Sequence, residues 1–205
     1  MRIIVVALLL GLGLAAHADG FASFELAAGG HVPLGDATWT HASSPSPGVF
    51  GAVGWHLDEH FGVLGSGAAI DQYGLVGPSG TYKPTMWRLR FLAHAFYEAE
   101  VVPHLTVVAR MGIGLDEMLL NWDQPSGGNA SFRSEQTSSL ALEPGAGVWW
   151  DAGIGLQIGG ELAIPISTAR TSKLIGAQYI ESMGPPFATY DLAVLAGIRI
   201  TSKRD

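Results

Sequence analysis

The clearest hydrophobic pattern in this chain lies between Thr85 and Asp116, where apolar and polar positions alternate along two arms joined by Glu100-Val101-Val102-Pro103-His104. On the first arm Trp87, Leu89, Phe91, Ala93, Ala95 and Tyr97 share one face, and Arg88, Arg90, Leu92, His94, Phe96 and Glu98 share the other. On the second, Leu105, Val107, Ala109, Met111, Ile113 and Leu115 oppose Thr106, Val108, Arg110, Gly112, Gly114 and Asp116. A repeat of two puts successive side chains on opposite faces of a strand. Each arm, about a dozen residues, exceeds the usual globular strand of roughly five or six and reaches the roughly 9 to 11 residues that cross a bilayer obliquely.

The alternation recurs in Phe21 to His31, Val49 to Leu57, Phe61 to Ile70, Ser139 to Trp150, Ile154 to Ile166 and Ala188 to Ile200. Counting the two arms, eight runs are joined by four long connections (35–47, 71–84, 121–137, 169–187) and three short ones (58–60, 100–104, 151–153), in strict alternation. Long loops at one end, tight turns at the other and an even strand number are the rhythm of a membrane barrel, whereas a Greek-key sandwich has no reason to alternate so regularly. The pattern predicts an all-β fold, an eight-stranded antiparallel up-and-down transmembrane β-barrel with four long loops and three short turns. Pro144 and Pro165 fall inside predicted strands and each removes a ladder donor, so each is expected at a bulge or a strand end.

Composition narrows this. Residues 1–18 read as a signal peptide: a basic start at Arg2, an apolar run from Ile3 to Ala15, and the small-x-small site Ala16-His17-Ala18. Residues 19–205 form the barrel domain. Charged residues are only 14% and no later segment holds some twenty consecutive apolar residues, so an apolar-rich exported chain enters lipid as a closed sheet. The absence of cysteine excludes disulfides, thiolate metal sites and a lipid-modified N-terminal cysteine. A net charge of −7 argues against nucleic acid as a partner.

If the apolar faces meet lipid, the opposite faces bring Glu25, Arg88, Arg90, His94, Glu98, Arg110, Asp116, Glu143, Glu161, Asp191 and Arg199 into one narrow interior, where acids and arginines must pair to offset desolvation. That lumen could be an ion-paired plug or a narrow polar conduit. Trp55, Phe61, Trp87, Tyr97, Trp122, Trp149, Trp150 and Tyr190 gather near run ends and are expected to form interfacial girdles. The main rival is a soluble periplasmic barrel binding an apolar ligand, with Arg88, Arg90 and Glu98 outside. His41-Ala42-Ser43 is the nearest approach to a catalytic pair, with no carboxylate to orient the imidazole. The histidines, including His56 and His60 across a turn, do not share a metal-binding spacing. Gly65-Ser66-Gly67 and Gly153-Ile154-Gly155 precede no helix and read as strand glycines rather than a phosphate loop. No enzyme, cofactor or metal is expected.

The runs, their loop rhythm and the leader together resemble the small eight-stranded outer-membrane β-barrels of the OmpA/OmpX type. The resemblance is architectural and spans essentially the whole mature chain. It implies the outer membrane of a Gram-negative bacterium, lipid and the assembly machinery as partners, a monomer, and a structural, surface-interaction or leaky-pore role, with the long loops free to bind a surface ligand. Members usually end on an aromatic residue, whereas this chain ends Ala196-Gly197-Ile198-Arg199-Ile200 followed by five polar residues.

Overall fold

Strict alternation becomes a ladder in the computed structural model, which describes residues 20–34, 44–72, 85–124, 131–168 and 189–202. Its strands are β1 (Phe21–Leu34), β2 (Ser46–His56), β3 (Phe61–Gln72), β4 (Thr85–Val102), β5 (Leu105–Gln124), β6 (Ser131–Asp151), β7 (Leu156–Ala163), β8 (Ile166–Ser167) and β9 (Thr189–Thr201). All pair antiparallel in one sheet that closes through β1 and β9. Short β8 continues β7, since both pair with β6 and β9 in one register, so the ring has eight strand positions.

The register defines the barrel. Paired residues run from Phe24 through Val53, Gly65, Ala93, Ile113, Leu142, Ile166 and Tyr190, and return to β1 at Leu34, ten residues further along. A stagger of ten across eight strands inclines them by about 40° at spacings of about 3.3 Å along and 4.8 Å between strands.

Beyond shifts of one to three residues at the ends of β1, β2 and β3, two boundaries depart further from the sequence reading. The third long connection, expected over 121–137, is mostly strand, because β5 and β6 stay paired as far as Gln124 and Ser131. Ladder hydrogen bonds need no apolar side chains, so alternation fades before pairing does. Ile154 belongs to the turn rather than the seventh strand, with φ +54° between Gly153 and Gly155, also at positive φ.

Each short turn is closed by an acid accepting backbone N–H bonds: Asp58 from His60 and Phe61 (both 2.7 Å), Glu100 from His104 (2.8 Å), and Asp151 from Gly153 (2.8 Å). The two donors to Asp58, His60 first, hold its carboxyl below the ordinary range. A depressed folded value stabilises the turn above the unfolded value and is lost as pH falls through the folded one. Protection of the His60 and Phe61 amides from hydrogen exchange should therefore fall away at acidic pH in the native chain, and Asp58→Asn should abolish that pH dependence.

Ile154 is fully exposed, and a β-branched residue in the left-handed region is strained. Ile154→Gly is expected to raise stability by roughly 1 kcal/mol, read as a higher urea midpoint. An unchanged or lower midpoint would show that the side chain makes a compensating contact.

Neither proline makes a bulge. Pro144 sits within continuous β6, and Pro165 lies in the gap between β7 and β8 with no change of register on either side. The amide of Ile164 donates to Pro144 O (2.9 Å) and that of Asp191 to Pro165 O (3.1 Å), but neither proline can return the bond. One stretch of wall thus lacks two ladder donors.

Candidate functional site: an ion-braced lumen

Side chains sort by alternation into an apolar exterior and a polar interior. Phe24, Val53, Phe91, Ile113, Leu142, Leu162 and Ile198 are exposed on the outside. Trp87 and Tyr97, ten residues apart on β4, both face outward, which at the strand tilt separates them by about 25 Å in height, the height of a membrane barrel's apolar band. At the Tyr97 level lie Phe61, its ring 5.0 Å from Tyr97, and outward-facing Trp150; at the Trp87 level lies Tyr190. Trp55 is half-buried on the outer face of β2. Among the described residues, the charged side chains that project outward on this wall are Asp71, paired with Trp87, and Glu117, paired with Leu89, both toward the upper level.

One aromatic was misplaced. Trp149, expected in a girdle, is 1% exposed and points into the lumen. Its neighbour Trp150 takes the outer position, and adjacent strand residues cannot share a face. Trp149 donates to Glu161 Oε1 (3.3 Å) and lies beneath the Arg199 guanidinium, 4.7 Å from its ring centroid. Trp122 pairs through its backbone with Arg133; its side chain lies outside the described residues.

The eleven inward candidates all line the lumen. Glu25, Arg88, Arg90, His94, Arg110, Asp116, Glu143, Glu161, Asp191 and Arg199 are buried, and Glu98, at the turn end, is nearly so. The rival soluble barrel required Arg88, Arg90 and Glu98 outside; Arg88 is 0% exposed. Burial on this scale is tolerable only because the charges are paired.

The pairs form two storeys. Near the long connections, Arg88 bonds Asp116 (2.7 Å) and Asp191, Arg90 bonds Glu143 (3.0 Å), and Ser167 donates to Asp116. Near the turns, Arg199 bonds Glu25 (2.8 Å) and Glu98 (2.9 Å), Arg110 meets Glu161 and lies 3.5 Å from Glu25, and His56 lies 3.1 Å from Glu98. Between the storeys, on the same inward faces, sit buried Phe50, Leu92 and Leu195. The small void beside them, lined by Glu25, Phe50, Trp149 and Leu195 among others, is too small for a water molecule.

The geometry is that of a brace. β4 and β9 stand four positions apart in a ring of eight, as do β1 and β5. Arg88–Asp191 and Glu98–Arg199 therefore join opposite walls near the two ends, and Glu25–Arg110 crosses between the other two. Gly112 makes room for this packing, since a Cβ there would come within 2.5 Å of the His94 ring.

Sequence reasoning missed His56, Ser66, Gln157, Ser167 and Thr189, which complete the network: Ser66 bonds His94 (2.8 Å), Gln157 meets Arg199 (3.4 Å) and Thr189 meets Arg88 (3.5 Å). Gln157 and Ser167 share the parity of Glu161, and Thr189 that of Asp191, the one signal that could have found them; β2 and β3 carry no inward acid or arginine to mark His56 and Ser66. His41-Ala42-Ser43 lies outside the described residues, as do residues 1–18. His56 faces the lumen and His60 an exposed turn, so they do not converge.

No protein-family model matches the chain, and no curated protein matches it. Among solved structures, a major outer membrane protein from Thermus thermophilus aligns at TM-score 0.60 and 15% identity over 89% of this chain and 99% of its own. Neisserial surface protein A aligns at TM-score 0.53 and 11% identity over 88% of this chain and 96% of its own. At such identities the likeness is one of fold: the closed, eight-stranded, all-antiparallel barrel of small outer-membrane proteins.

Proposed function

We propose that this protein is a non-enzymatic outer-membrane barrel with a structural or surface-interaction role, acting through its exterior and its long connections while the lumen serves as an internal brace. The observation that carries this reading is the inversion of polarity: apolar side chains cover the wall between two aromatic levels, and the buried charges are inside and paired. A soluble barrel would place them the other way round. Residues 1–18 direct export, the assembly machinery inserts the chain as a monomer, and the four long connections present the binding surface. The apolar layer of Phe50, Leu92 and Leu195 between two ion-paired storeys argues against a standing conduit.

The test is cell fractionation followed by gel mobility of the detergent-extracted protein, boiled and unboiled, and by single-channel recording in planar bilayers. Outer-membrane recovery, a heat-modifiable band and no conductance steps are expected. Recovery in the soluble periplasmic fraction would overturn the membrane assignment, and regular conductance steps would replace the brace with a pore.

A further inference from the structure

We propose that Ile166–Thr168, with the top of β9, forms a hinged flap at the mouth of the lumen, latched shut by Arg88. The hinge is the gap at Ile164-Pro165. Between Ala163 and Ile166 the strand keeps one hydrogen bond to each neighbour, Ile164 N to Pro144 O and Asp191 N to Pro165 O, and the return donor of each is lost to a proline, one on each side of this strand. Among the described residues, the strand above the gap is held to β6 by two paired residues and the bond from Thr168 N to Leu140 O (2.8 Å), while the top of β9 also pairs with Pro33 and Leu34 of β1. Such a segment opens at lower free energy than the continuous ladder beneath it.

The latch comes from the far side of the lumen. Ser167, on the flap, donates to Asp116 on β5. Thr189 and Asp191, on β9 beside it, meet Arg88 on β4, the opposite wall. Arg88 also holds Asp116 (2.7 Å), so one guanidinium ties both flap strands to β4 and β5. All of these groups are buried, so removing one partner leaves the charge of the others uncompensated. Opening would uncover Arg88, Asp116 and Asp191 to the long-connection side, while the layer beneath and the Glu98–Arg199 brace stay in place. The open state is a blind polar cup rather than a pore.

Hydrogen exchange followed by mass spectrometry on the full chain in lipid nanodiscs tests both parts. Ser167→Ala should speed exchange of the Thr168 and Asp191 amides by about fivefold, the equivalent of one net hydrogen bond, and leave Ile158–Leu162 unchanged. Pro165→Ala, which returns a donor at the hinge, should slow the same amides. Arg88→Lys, which keeps the charge but loses the fork, should act as Ser167→Ala does, more strongly. Equal acceleration along β7 and β8 would refute the hinge. No change at Thr168 and Asp191 in either latch variant would refute the latch, and conductance steps in Ser167→Ala would refute the blind cup.

Discussion

Arg199→Met is expected to destabilise the folded barrel by about 3–5 kcal/mol, the cost of leaving buried charge uncompensated. Arg199 is 2% exposed and touches Glu25, Glu98 and Gln157 while covering the Trp149 ring. Methionine keeps much of the contact with Trp149, so the loss isolates the charge, and it falls on two carboxylates, Glu25 on the adjacent strand β1 and Glu98 on the opposite wall at β4. Adding Glu98→Gln to the same chain should restore part of the stability by removing one of those charges, a non-additivity that a double-mutant cycle measures directly. The readout is the urea midpoint of reversible folding in detergent micelles, together with the temperature at which the compact gel band disappears. A cost below about 1 kcal/mol would place Arg199 in the range of exposed ion pairs and would mean that the lumen is wet and screened rather than braced.

The second large effect concerns the outer wall. Ile113 projects outward on β5, between the levels of Trp87 and Tyr97. Arginine there should cost about 2–4 kcal/mol in a bilayer, and the same substitution close to an interface about 0–1 kcal/mol. Val101, exposed at the turn end of β4 beyond Tyr97, supplies the comparison. Ile113→Arg should lower the yield of heat-modifiable protein in the membrane fraction and the stability of the chain refolded into vesicles, whereas Val101→Arg should leave both near the native values. Equal tolerance at the two sites would remove lipid from that face and with it the membrane reading. The two predictions are complementary, since one probes the charged interior and the other the apolar exterior created by the same alternation.

Strand existence was legible wherever apolar residues recur every second position, as from Trp87 to Tyr97, because that repeat is the direct imprint of a wall with two different solvents. Inward parity was equally legible for Arg88, Arg90 and Glu98, and a consistent use of it would have placed Trp149 inside once Trp150 was taken as outside. Strand ends were not legible in the hairpin joining β5 and β6. There the stretch from Ser131 to Thr137 holds a single apolar residue, Phe132, too few to show alternation, yet its backbone groups still pair with β5. The turn at Ile154 was hidden for the opposite reason, since a β-branched apolar residue looks like strand and only the backbone shows φ +54°.

The sequence by itself determined that this chain builds a ring of long alternating strands with one apolar face and one charged face, because side-chain periodicity is local and survives without any knowledge of neighbours. Only the tertiary structure decided what that ring does with its charges. The stagger of ten residues sets which inward side chains share a level, and closure of β9 on β1 brings Glu25 to Arg199 across 174 residues of sequence. Pairing across opposite walls, two storeys separated by Phe50, Leu92 and Leu195, and a gap where Pro144 and Pro165 each withhold a donor, one from each ladder, all depend on register. Register is a relation between distant segments that no single stretch of the chain contains.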